Sequence, residues 1–128
     1  MRNSMGWIVG LGLMVAVSGV VRAESMDPLQ VAPEMYTLKF ENERVRVMEV
    51  GFKPGASIGL HTHPDHAAIA VTGGTLQISK PDGSKTDLVV EPGTAVWIPA
   101  EAHSAVNTGQ TDVRVVVVEL KEPAPAAQ

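Results

Sequence analysis

Cysteine is absent from all 128 residues. No disulfide can brace the fold. A lipid-anchored lipoprotein is also excluded, because no Cys follows the apolar stretch near the N-terminus. Basic charge is scarce: 10 Lys and Arg stand against 14 Asp and Glu, a net charge of −4. An acidic domain repels phosphate backbones, which argues against nucleic acid as a partner. Sustained helical periodicity is missing, and no segment repeats at a fixed period. The long apolar run from Ile8 to Val21 is interrupted by Gly and Ser18. It falls short of the roughly 20 residues of a comfortable membrane span.

That run does have another use. Arg2 precedes it, and Val21-Arg22-Ala23 supplies small residues at the −3 and −1 positions of a cleavage site. This is the layout of a secretory signal peptide. Residues 1–23 are expected to be removed, which leaves no stable membrane span and a periplasmic or extracellular chain. Cleavage takes away Arg2 and Arg22. The remaining 8 basic residues stand against 14 acidic ones, a net charge of −6. A domain of this size buries little surface, so a bound metal or a homodimer would help it.

Residues 24–34 carry two prolines and read as an arm or linker, and residues 122–128 as an extended tail. Between them, over 35–121, the pattern is β. Tyr36–Phe40 and Val45–Phe52 alternate and end at Glu41-Asn42 and Lys53-Pro54-Gly55. Ala67–Val71 stops at Gly73-Gly74. Thr75–Ser79 and Thr86–Val90 flank Pro81-Asp82-Gly83-Ser84, a hairpin signal because Asp-Gly accepts φ > 0. Ala95–Ile98 ends at Pro99, and Val113–Leu120 is a β-branched run expected to be buried on both faces. Short strands between Gly/Pro/Asp turns predict an all-β sandwich or barrel.

Three of the four histidines fall in Gly59-Leu60-His61-Thr62-His63-Pro64-Asp65-His66, and the fourth is His103. On a strand, His61 and His63 share a face. Two neutral imidazoles make a weak bidentate site. A third ligand must come from elsewhere, and His103 is the histidine outside the cluster.

The surroundings resemble the cupin superfamily. Gly55, His61, His63 and Gly74 fill its first motif; Gly93, Pro99, His103 and Asn107 fill its second, with one residue fewer between Pro99 and His103. The resemblance spans nearly all of 35–121. It implies a six- to eight-stranded jelly roll (a double-stranded β-helix) with a metal inside one mouth. The family's Glu ligand would fall at 67 or 68, where both residues are alanine, and Glu101 replaces a motif glycine.

Three neutral imidazoles leave a divalent ion its full charge, which favours an anionic or chelating small molecule. The site therefore resembles the three-histidine iron cupins, a group that includes thiol and diketone dioxygenases. Fe(II) is ranked first, with Zn, Ni, Cu or Mn as alternatives. The expected function is a metal-dependent oxygenase; the alternative is a cupin that binds a metal or small ligand without turnover. His66 is the candidate fourth ligand, but its parity is opposite to that of His63 and directs it away from the interior. His66 and Glu101 are the candidate acid–base residues, with Glu101 placed in a loop. By the same parity Ala67, Ile69 and Val71 share the inner face with His61 and His63. Ala105 and Asn107 share that of His103, with Asn107 a loop-closing hydrogen-bonder. Arg44 and Arg46 are expected in solvent, and Trp97 in the core.

Overall fold

The computed structural model describes residues 26–122. The expected signal peptide, and residues 123–128 of the tail, lie outside them. The described chain runs α1 (Pro28–Val31), β1 (Tyr36–Glu41), β2 (Val45–Phe52), β3 (Ser57–His63), β4 (His66–Thr72), β5 (Gly74–Ser79), β6 (Lys85–Val90), β7 (Ala95–Ile98), β8 (Glu101–Asn107) and β9 (Val113–Leu120). Two antiparallel sheets form, one ordered β1-β2-β9-β4-β7 and the other β3-β8-β5-β6. Their inner faces enclose the core, and the whole is a jelly roll.

The described residues hold nine strands, more than the six to eight implied by the resemblance. The sequence pattern assigns β3 a strand only conditionally, and it assigns none to β8. Its inward positions are Glu101, His103, Ala105 and Asn107, so polar residues sit where apolar ones would normally mark a strand. Elsewhere turn chemistry sets the boundaries. Gly83, at φ 87°, closes the β5–β6 hairpin, with its N–H on the Lys80 carbonyl at 2.9 Å. An L side chain would be strained there.

Inner faces follow period 2 only within one strand. In β2 the inward set is Arg46, Met48, Val50 and Phe52, paired in register with Glu119, Val117, Val115 and Val113 of β9. Strand β9 therefore alternates rather than being buried on both faces: Val113, Val115, Val117 and Glu119 are buried, Val116 and Val118 half-buried, and Arg114 exposed. Trp97 is 55% exposed. Its neighbours Val96 and Ile98 line the interior, so alternation turns Trp97 outward, not into the core.

The arm is more than a linker. Asp27 caps α1 by accepting from the Leu29 N–H at 2.9 Å, the usual role of Asp at that position. The arm docks on β3, where the Thr62 N–H donates to the Met26 carbonyl at 2.8 Å. Ala32 joins the core. Among the described residues no helix is long and apolar enough to cross a membrane.

Asn107 closes the far end as expected. Its Nδ2 donates to the carbonyls of Phe52 (3.1 Å) and Thr111 (2.7 Å), and its Oδ1 accepts from the Gly109 N–H at 2.9 Å. The side chain is 1% exposed, and losing it strands buried backbone groups at a cost of about 1–3 kcal/mol each. Asn107→Ala should therefore destabilise the protein by about 2 kcal/mol or more, read as a lower urea midpoint at constant slope. A change under about 0.5 kcal/mol would count against this accounting.

Candidate metal centre

The site is assembled by a break in alternation. Ile58 and His61 are both buried although three residues apart, because the β3–β8 pairing slips between them. The extra residue of a bulge flips the phase of a strand. Here it turns His61 and His63, which already share a face, to the inner side on which Ile58 is buried, and sets His61 opposite His103. The Gly59 carbonyl, in the bulge, accepts from the His61 ring Nδ1 at 2.8 Å.

His61, His63 and His103 each offer a nitrogen, and these lie within 4.8 Å of one another. All three rings are buried. Every Nδ1 is committed. That of His63 contacts the Glu119 carboxylate at 2.6 Å, and that of His103 contacts Glu101 at 2.7 Å. A carbonyl or carboxylate can only accept, so Nδ1 carries the proton on each ring and Nε2 keeps the lone pair. Three converging Nε2 lone pairs on rings fixed from behind form a donor set suited to a divalent metal ion. The group could hold one.

His66 corrects the parity argument. It is 2% exposed and lines the same cavity, with its ring centroid 4.7 Å from that of His63. Pro64-Asp65 carries the chain from one sheet to the other, so β4 begins its alternation afresh. Its inward residues are His66, Ala68 and Ala70, whereas Ala67, Ile69 and Val71 face out. Pro64 accepts from His66 Nδ1 at 2.8 Å, which again leaves Nε2 with a lone pair. His66 stands beside the group of three and is not one of it. Ala68 occupies the inward place where the family motif would put its Glu.

Two further residues belong here and went unnoticed in the sequence. Glu119, 2% exposed, bridges His63 and Arg46, whose Nε lies 2.8 Å from its second carboxylate oxygen. Arg46 also pairs with Asp27 at 2.6 Å, so it is enclosed rather than solvated; Arg44 is exposed and pairs with Glu122. The signal was parity: Arg46 shares its face with Met48, Val50 and Phe52, and Glu119 shares its face with Val113, Val115 and Val117. Opposite charges at inward positions of two long strands ask for each other. Tyr36 is the second residue. Its hydroxyl lies 3.5 Å from His61 Nε2, and ring edges of His61 and Tyr36 meet at 69°.

Glu101 opens β8 and is not in a loop. One oxygen holds His103 and the other lies 3.4 Å from Lys80. Burial alone would raise both acids. For Glu101 the bond from His103, and for Glu119 the bonds from His63 and Arg46, outweigh it and hold each carboxyl below its ordinary value. Burial works against the Arg46 charge too, yet its bonds to Asp27 and Glu119 raise it on balance. Burial pushes His61 down to about 4, and lowers His66 and His103. Neutral imidazole is the form that binds metal, so these rings need not shed protons near pH 7.

A family model described as Cupin domain matches residues 48–119. The beta-alanine degradation protein BauB of Pseudomonas aeruginosa is 33% identical over 87 residues, which cover 66% of this chain and 90% of that protein. A solved cupin domain from Bordetella pertussis Tohama I is similar at a TM-score of 0.64 and 30% identity, covering 69% of this chain and 93% of that one. The polyketide cyclase RemF of Streptomyces resistomycificus is similar at a TM-score of 0.53 and 26% identity, covering 70% and 66% respectively.

Two outcomes follow. Glu119→Gln keeps an acceptor for His63 but breaks the charge pair with Arg46, and should weaken metal affinity by about 10–100-fold. Competition against a chelator reads this; affinity within twofold of wild type would remove Glu119 from the site. For metal-stripped protein, His61 has a folded value of about 4 against an ordinary 6.5. The unfolded chain then binds the extra proton between those values. Its contribution is complete above pH 6.5 and lost toward pH 4, so the urea midpoint of metal-stripped protein should fall across that window, and a flat profile would refute it.

Proposed function

The chain belongs to the cupin-domain family, and from that premise we propose that it is an exported, metal-dependent cupin that oxidises a small anionic or chelating molecule with O2. His61, His63 and His103 hold the ion. Fe(II) in this place supplies Lewis acidity and redox chemistry with O2; Zn, Ni, Cu or Mn are the alternatives. The observation that supports the reading most is the commitment of every Nδ1, which leaves a lone pair on each Nε2 of three rings whose ligand nitrogens lie within 4.8 Å of one another, beside a largely apolar cavity.

The remaining side chains have protein duties. Glu119 and Glu101 orient His63 and His103. Arg46 and Lys80 stand beside those carboxylates, so the acids add little net negative charge to the centre. An anionic group on the bound molecule is therefore favoured. His66 Nε2 is placed to accept a hydrogen bond, or a proton, from a donor on that molecule. Glu101 orients a ring and is not free to act as a base. This engagement of both acids also favours a second reading, in which the cupin binds a metal and small ligand without turnover. Cupin domains commonly bind small molecules.

Protein refolded with Fe(II) should consume O2 when given thiols or β-diketones, and His103→Ala should lose tight metal and all uptake. Binding of those compounds without any O2 consumption would sink the oxygenase reading and leave the binding one. Trp97 fluorescence is a poor reporter of loading, because the indole is on the outer face. Export predicts a mature N-terminus at Glu24. N-terminal sequencing of the periplasmic or secreted fraction checks it, and recovery only of uncleaved cytoplasmic chain would reject it.

A further inference from the structure

Apart from the four histidines, the cavity is lined by apolar side chains and by two already engaged hydroxyls, Tyr36 against His61 and Thr94 on the Glu91 carbonyl. Leu76 and Ile78 of β5, Ala68 and Ala70 of β4, and Val115 and Val117 of β9 face each other across it. No Asp, Glu, Lys or Arg lines it among the described residues. The nearest acids, Glu101 and Glu119, lie behind the rings and are already held by His103, Lys80, His63 and Arg46. The opening has the same character. Val89 and Val96 line the cavity and are 69% and 40% exposed. They belong to β6 and β7, the end strands of the two sheets. Alanine at 68, where the family motif carries Glu, removes the one carboxylate that would have pointed in.

From this distribution we infer that the cavity selects a monoanion with an apolar body: one charged oxygen or sulfur end at the histidines, and a hydrocarbon portion along the β4, β5 and β9 walls. The inference rests on the metal reading above and narrows its substrate class. A second charge on the ligand would be buried with no partner, which is costly whichever its sign. A second carboxylate finds no Arg or Lys, and an ammonium finds no free carboxylate. Each methylene taken out of water by the walls should strengthen binding by up to about fourfold.

Co(II)-loaded wild-type protein tests this through its visible absorption bands, titrated with acetate, butyrate, hexanoate, succinate and β-alanine. Affinity should climb from acetate to hexanoate, and butyrate should exceed both succinate and β-alanine by at least tenfold. An affinity flat or falling with chain length overturns the inference. So does a match between butyrate and either doubly charged compound, although the metal reading then survives. Absence of Co(II) bands before any acid is added, with His103→Ala indistinguishable from wild type, removes the metal reading and this inference with it.

Discussion

The Glu119 carboxylate holds the two halves of the site together. One oxygen fixes the tautomer and direction of His63; the other receives Arg46. Through Arg46 the link continues to Asp27 and so to the docked N-terminal arm. Glu119 and His63 belong to different sheets, so this contact also ties the sheets together at the mouth of the barrel. A buried carboxylate without those partners would cost several kcal/mol. Arg46 and His63 are thus conditions for Glu119 to be there, and Glu119 is a condition for His63 to be aimed.

Around that contact the geometry depends on two interruptions of strand alternation. The bulge near Gly59-Leu60 brings His61 and His63 onto the same inner face as Ile58. The Pro64-Asp65 crossing brings His66 into the cavity from the opposite sheet. Without the first, His61 and His63 would both face away from the side on which Ile58 is buried. With the second, a fourth imidazole comes to stand next to the group. Each interruption costs regular ladder hydrogen bonds, and the Nδ1 contacts to the Gly59 and Pro64 carbonyls satisfy polar groups at the same places. Local irregularity and ring orientation share one cause.

The charge balance gives the site its chemical bias. Both acids near the rings are matched by cations, Glu119 by Arg46 and Glu101 by Lys80. The cavity beyond the rings is uncharged. An ion held by neutral imidazoles would keep most of its charge facing an apolar chamber, where electrostatic attraction is strong. A ligand able to offer one anionic donor to that end and hydrocarbon to the rest fits both features.

Much of this was legible in the linear chain. Alternation and turn residues specified a β barrel, since side-chain period and backbone propensity are local properties. The spacing of His61 and His63 and the distant His103 marked three residues that the structure does bring together. What could not be read locally was phase. Parity counting placed His66 outside and Ala67, Ile69 and Val71 inside, because a bulge or a change of sheet resets the count without leaving a composition signal. Trp97 was sent to the core by its size, whereas its place in a short end strand faces it outward. The Glu119–Arg46–Asp27 chain needed β2 laid beside β9 and the arm folded back over β3, contacts between residues up to 73 positions apart. The sequence by itself determined which side chains had the right chemistry, and it placed the acceptors of His61, His66 and His103 two residues back along the chain; only tertiary pairing brought the rings together and gave His63 its acceptor, because Glu119 comes from another strand.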